Sequence, residues 1–243
     1  MALPVGAALL VPFGIVFWDV DSAAVPYIAA SAVLETAYFF LLTGGYASGE
    51  LSAVYPLVRG SAPVLVLAVS VAFLGARLSA GAALGVLAVG AGVVAIRGER
   101  RQAPARAVGL ALLCGATVAG YTLIDNEGVT HAGPAPYFTL VVAPVALLSL
   151  LAVMRSRGWP ALRAYAAGSR VTVAAAGVGM VGAYLLTLAA LKLAAAAPVA
   201  AVRETSVLIA VLAAAALGRE RITPARLAAA AAITAGTAAI ALG

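Results

Sequence analysis

Nine apolar runs, each close to the length of a membrane-spanning helix, fill this chain almost end to end. They cover roughly residues 3–18, 25–44, 51–74, 79–96, 105–124, 135–154, 171–191, 195–217 and 224–242. Crossing a hydrocarbon core takes about 20 apolar residues in a helix. A membrane barrel strand would alternate polar and apolar over about ten residues, whereas these runs are apolar on every face. The first run is short, but it lacks the positive n-region of a signal peptide and is counted as a span. Composition closes off a soluble fold: 64% of residues are hydrophobic and 10% charged, where a soluble domain carries about a quarter charged. The expectation is an all-α integral membrane protein of about nine transmembrane helices, multi-pass in the cell membrane (cytoplasmic or inner).

The connectors set the orientation. "IRGERRQAPAR", "RSRGWPALRAYAAGSR" and "GRERITPAR" hold eleven arginines. The opposite set, "DVDSA", "GARLS", "DNEGVTHAG" and the stretch at Lys192, holds two cations. The positive-inside rule then puts Met1 in the cytoplasm and Gly243 outside. The net charge of +6 is therefore a matter of lipid and topology, and no nucleic-acid partner is expected. One cysteine, Cys114, and one histidine, His131, make neither an internal disulfide nor a metal cluster, so no metal or cofactor is expected. His131 reads as a solvated loop residue.

The chain also matches itself. At an offset of 144 residues, "AVYPLVRGSAPVLV" from Ala53 falls on "APVAAVRETSVLIA" from Ala197, and Arg59 on Arg203. The same offset puts Arg77 on Arg221, Ser79 on Thr223, Gly92 on Gly236 and Ile96 on Ile240. With a two-residue gap, "AYFFLL" (37–42) matches "AYLLTL" (183–188). Alanine matches mean little in such a chain, but two arginine pairs at one offset are hard to obtain by chance. The second to fourth spans match the seventh to ninth, five apart, so matched helices run in opposite directions. That pattern is an inverted repeat, an architecture of many secondary transporters.

Arg59 and Arg203 each lie eight residues into a span, about 12 Å deep at 1.5 Å per residue. Entering from opposite sides of a core of about 30 Å, they flank its midplane. Guanidinium groups there need a wet cavity or a carboxylate. Glu35, ten residues into the second span, and Glu204, beside Arg203, are candidate acids. Asp125 closes the fifth span one turn after Tyr121. Tyr38 is one turn from Glu35, and Tyr55, Arg59 and Pro63 share a helix face. Each has a structural alternative: the arginines as helix locks, Glu35 as an inert protonated acid, Asp125 as an end-of-helix charge. "GAALG" (81–85) reads as a small-residue packing face.

These residues resemble a known family. "GELSAVYPLVRGSAPVLV", "LGARLS" with "GVLAVGAGVVAI", and "APVAAVRETSVLIAVLAAAALGRERITPARLAAAAAITAGTAAI" look like the two repeats of an EamA-type transporter of the drug/metabolite transporter (DMT) superfamily. "GYTLIDNEGVTHAG" is similar to a "YT-hydrophobic-hydrophobic-D-x-x-G-V" run of one bacterial branch. The resemblance implies a ten-helix bundle of two inverted halves around a central cavity. Residues 1–100 would be the first repeat, with four helices, and 101–243 the second, with five; the family's first helix is then expected to be missing ahead of Met1. The family's glutamate after "LG" is Ala76 in the first repeat and remains as Glu220 in the second. Members commonly keep both termini in the cytoplasm, at odds with the arginine count.

Two functions follow as expectations. The first is a secondary transporter of a small metabolite or drug-like solute, working by alternating access, with a proton as the first candidate coupling ion. Its binding or coupling candidates are Glu35, Tyr38, Tyr55, Arg59, Tyr121, Asp125, Arg203 and Glu204. The alternative is a non-transporting membrane subunit or lipid-flippase partner. An enzyme is not expected, since no HExxH, GxSxG or phosphate-binding glycine loop is present. The expected partners are a small-molecule substrate and the lipid bilayer; substrate identity, direction and oligomeric state stay open.

Overall fold

A computed structural model describes residues 2–48, 51–73, 75, 79–98, 105–196, 199, 200, 202, 203, 206, 209 and 223–242. Its α-helices are α1 (Ala2–Val16), α2 (Val25–Ser48), α3 (Leu51–Phe73), α4 (Ala80–Gly98), α5 (Ala105–Gly128), α6 (Pro134–Arg157), α7 (Trp159–Gly168), α8 (Arg170–Leu191) and α9 (Pro224–Leu242). No strand occurs among the described residues. All but α7 coincide with expected spans to within four residues at either end. In the eighth expected run the described positions from Ala196 on, such as Val202 and Arg203, are helical too. Four helical stretches are long and apolar enough to cross a membrane: Ser22–Gly45, Ala105–Gly128, Pro134–Arg157 and Arg170–Leu191. The apolar parts of α1, α3, α4 and α9 are shorter. Phe13, Ile15, Val33, Leu84, Leu87 and Leu186 are exposed large apolar residues.

Two departures from expectation are local. The connector after α6 holds a helix, α7. Gly158 ends α6 with a φ of 76°, its N–H bonded to the Met154 carbonyl, and only glycine takes that conformation without strain. Pro160 then sits in the first turn of α7, where its missing N–H costs nothing. The fifth helix also runs on to Gly128, so Asp125 lies inside its last turn and not at its end.

The helices group into two compact units. The first comprises Met1–Phe39 and Leu123–Leu193. Within it α1 packs on both α6 and α8. A Cβ on Gly6 would lie 2.6 Å from the Gly177 carbonyl oxygen, and one on Gly14 2.3 Å from the Thr139 hydroxyl, so both crossings need glycine.

The two ends of this unit differ. At one end the Asp19 carbonyl accepts from the Gly133 N–H (2.7 Å) and the His131 carbonyl from the Asp21 N–H (2.9 Å), forming an antiparallel bridge between Val20 and Ala132. Asn126 donates to the Leu191 carbonyl at 3.0 Å, and Lys192 reaches the Ala132 carbonyl at 3.5 Å. Three connectors that the arginine bias put on one side of the membrane are thus joined directly. The His131 ring stacks on Tyr27 at 5.7 Å and approaches Glu127 at 3.9 Å, so it is more engaged than a free loop residue. At the other end lie α7 with Arg163, and the flanking Arg155, Arg157 and Arg170.

The second unit comprises Phe40–Thr122 and Ala194–Gly243. Its densest contact is the antiparallel packing of α4 on α9. A Cβ on Gly85 would lie 2.4 Å from the Gly236 carbonyl oxygen, and one on Gly92 2.8 Å from that of Ala229. Leu67, Ala82, Val89 and Ile240 form a buried core beside this crossing. The "GAALG" stretch is thus a packing face, as expected. Gly115 of α5 meets Ser61 of α3 just as closely.

Candidate functional site

The polar centre of the first unit is Asp125. It is wholly buried in the last turn of α5. The Tyr137 hydroxyl of α6 donates to Oδ1 at 2.8 Å, and the Tyr184 hydroxyl of α8 donates to Oδ2. Both carboxylate oxygens therefore accept from phenols on two different helices. An enclosed carboxylate without such donors would cost several kcal/mol. Tyr137 is itself wholly buried, and the ring of Phe138 lies 4.8 Å from that of Tyr184.

A second acid completes the cluster. Glu35 of α2 is 6% exposed, and its charge acts on the same Tyr137 phenol as that of Asp125. The buried Ser31 hydroxyl, one turn before Glu35, lies near that phenol without a bond of good geometry. Tyr137 thus donates to Asp125 and lies within electrostatic reach of Glu35 on a different helix. Room for its ring comes from Gly128, three residues after Asp125: a Cβ there would lie 2.5 Å from the Tyr137 hydroxyl and 2.6 Å from its ring. The spacing D-x-x-G places the acid and the vacant slot on one face of α5. Asp125 does lie in the last turn of α5, as an end-of-helix charge would, but it is enclosed by two phenols instead of facing the interface.

Outside the spans, Asp21 caps the 3-10 turn at Ser22–Ala24. The Ala23 N–H (2.9 Å), then the Ser22 hydroxyl (3.2 Å), hold its carboxyl below the usual carboxylate range.

The arginines belong to the second unit. Arg203 reaches the Thr122 hydroxyl of α5 at 3.4 Å, a long contact. Arg59, partly buried on α3, is close enough to act electrostatically on Cys114 of the same α5. Cys114 and Thr122 are eight residues apart, so the two arginines address α5 about 12 Å apart along its axis. Tyr121 is buried beside Thr122.

Of the remaining expected site residues, Tyr38 is half-buried and packs edge-on against Phe39 at 5.2 Å. Tyr55 lies on α3, but its side chain is outside the described residues, as are Glu204, Glu220, Ala76, Arg77 and Arg221 altogether. Sequence reasoning brought out Glu35 and Asp125 but missed Tyr137, Tyr184 and Gly128. The repeat held one signal, because it aligns Tyr184 with Tyr38. The chain matches no protein-family model and no curated protein in sequence.

Proposed function

We propose that this protein is a multi-pass membrane transporter of a small solute, coupled to protons through Glu35 and Asp125. The observation that carries the reading is the burial of two acids, Glu35 and Asp125, in a bundle of apolar helices, with the Tyr137 phenol bonded to Asp125 and within electrostatic reach of Glu35. Acids at membrane depth are costly, and in transporters they mark proton and ion pathways. A hydroxyl between two carboxylates can accept a proton from one and pass its own to the other. Tyr137 is the relay, Glu35 and Asp125 the stations, and Tyr184 orients Asp125.

The EamA-like, inverted-repeat architecture of nine spans belongs to the same proposal. It draws support from the α4–α9 crossing. There Gly85 meets Gly236 and Gly92 meets Ala229. At the offset of 144 residues Gly92 corresponds to Gly236 and Gly85 to Ala229. Contact i to j thus recurs as j to i, the exchange that a twofold axis produces. Alternating access would then expose the relay to each side in turn.

The second reading, a non-transporting subunit, is favoured by the saturation of both Asp125 oxygens, which suits a helix lock. Proteoliposomes loaded with a pH-sensitive dye decide between them. A panel of amino acids, organic cations and organic anions is offered under a pH gradient. Transport predicts that at least one solute moves protons with the wild-type protein and none does with Glu35→Gln at equal insertion. Proton flux with no solute of the panel, or undiminished flux in Glu35→Gln, would reject coupling through Glu35.

A further inference from the structure

We infer that the groove between α1, α7 and α8 is a binding site for one anionic phospholipid. Its phosphate would be held by Arg163 and Arg170, and its acyl chain laid along Val5, Ala167, Val173 and Ala174. The groove has a volume of about 360 Å³ and is lined by those six residues. That lies within the range of roughly 300–1,000 Å³ of small-molecule sites. Its chemistry is divided: two guanidiniums and an otherwise apolar wall. A free inorganic anion would use the arginines and gain nothing from the wall, whereas an anionic lipid matches both parts. Among the described residues neither Arg163 nor Arg170 makes an ion pair, so both forks are open to a phosphate, which guanidinium binds in bidentate geometry.

The setting fits the same occupant. Gly158 breaks the chain sharply after α6, and α7 follows with Trp159 exposed and Leu162 buried. A short helix with an exposed tryptophan, a buried leucine and an arginine, flanked by Arg157 and Arg170, is suited to the headgroup layer. Arg155 and Arg157, in the last turn of α6, add to the positive potential of this end. The positive-inside bias assigns these connectors to the cytoplasmic leaflet, where anionic lipids provide the negative surface. The inference rests on the reading of the chain as a membrane protein.

The test uses the full chain extracted from membranes in a neutral detergent and examined by native mass spectrometry. Phosphatidylglycerol, phosphatidylcholine or inorganic phosphate is added in separate arms. The expected result is one retained phosphatidylglycerol, preferred over phosphatidylcholine. Each juxtamembrane arginine contributes roughly fivefold, so Arg163→Gln with Arg170→Gln should lower that preference roughly thirtyfold. Ala174→Trp, which keeps both charges and fills the groove, should lose the lipid as well. Arg106→Gln, at the start of α5, should leave the preference intact.

An unchanged preference in the double arginine variant overturns the site. So does phosphatidylglycerol binding that inorganic phosphate abolishes, since that would make the groove a plain anion site. A dimer that forms without lipid and is lost in Ala174→Trp would assign the groove to a second copy of the chain instead. Recovery of the wild-type protein in the soluble fraction would be a separate result, overturning the membrane reading and the site together.

Discussion

Where α5, α6 and α8 meet, the contact is polar: one carboxylate receives two phenols, and the helices carry the groups that satisfy each other. Where α4 meets α9 the contact is backbone on backbone, with Gly85 and Gly236 removing the side chains between them. Both solutions answer one problem. For helices long and apolar enough to cross a membrane, little is gained in hydrocarbon by hiding apolar surface from one another. Association must come from close van der Waals fit or from hydrogen bonds. The glycine crossing uses the first and needs no chemistry beyond absence of a side chain. The Asp125 cluster uses the second, and in doing so stores ionisable groups that can also change state.

The comparison breaks most readily at Asp125. Asp125→Ala leaves two buried phenols without their acceptor, and hydrogen bonds to a charged group contribute about 1.5–3 kcal/mol each. The expected loss is about 3–5 kcal/mol, read as a lowered thermal midpoint in detergent. A shift worth less than about 1 kcal/mol would show that the cluster does not hold the helices.

Gly236→Ala tests the other interface. Its Cβ would lie 2.6 Å from the Gly85 carbonyl oxygen, and backbone cannot step aside as a side chain can. Overpacking of this kind costs about 1–3 kcal/mol, and the expected signature is loss of stability with the Asp125 cluster intact. If Gly236→Ala proves neutral, α4 and α9 are not locked at this crossing.

Gly128→Ala sharpens the contrast, because here the obstacle is a side chain. The new methyl meets the Tyr137 hydroxyl and ring, so the expected cost is about 1–2 kcal/mol, at the lower end for overpacking. Tyr137→Phe removes the hydroxyl but leaves the ring, so the double variant should be partly relieved, with a coupling energy of about 0.5–1 kcal/mol. Strict additivity in that cycle would place the two residues out of contact. Thr122→Val, which deletes the 3.4 Å contact of Arg203 and the 2.7 Å bond from the Thr122 hydroxyl to the Val118 carbonyl, should cost about 0.5–1 kcal/mol.

The smallest effect belongs to Asp21. Its folded carboxyl titrates below the unfolded value near 3.8, so its cap is fully present above that pH and is lost as pH falls through the lower folded value. The protection of the Ala23 amide, its exchange measured against the intrinsic rate at each pH, should fall through the acidic range in the wild-type protein and stay flat in Asp21→Asn. Equal profiles in both would deny the cap.

Helix positions were legible from composition alone, because an apolar run of about 20 residues has one stable solution in hydrocarbon. Within the first unit, the two ends carry different connectors, as the charge pattern led one to expect. Charges distribute by topology, and the bonded acidic loops of the first unit lie at the end opposite the Arg163 and Arg170 groove. Glu35 and Asp125 could be picked out because an acid in an apolar run is expensive. Their common partner could not. Tyr137 carries no charge, reads as an ordinary aromatic in a membrane helix, and is separated from Glu35 by about a hundred residues. Hydropathy also hid α7, since ten residues with Arg163 in their middle and Arg157 and Arg170 just outside are too short and too charged to read as a span, and Gly158 at positive φ ends α6 just before them. The sequence by itself determined which segments leave water and which charges need partners, since both are transfer free energies of single residues. Which partners they found was decided by the tertiary structure alone, because a hydrogen bond depends on distance and direction between helices that no local pattern records.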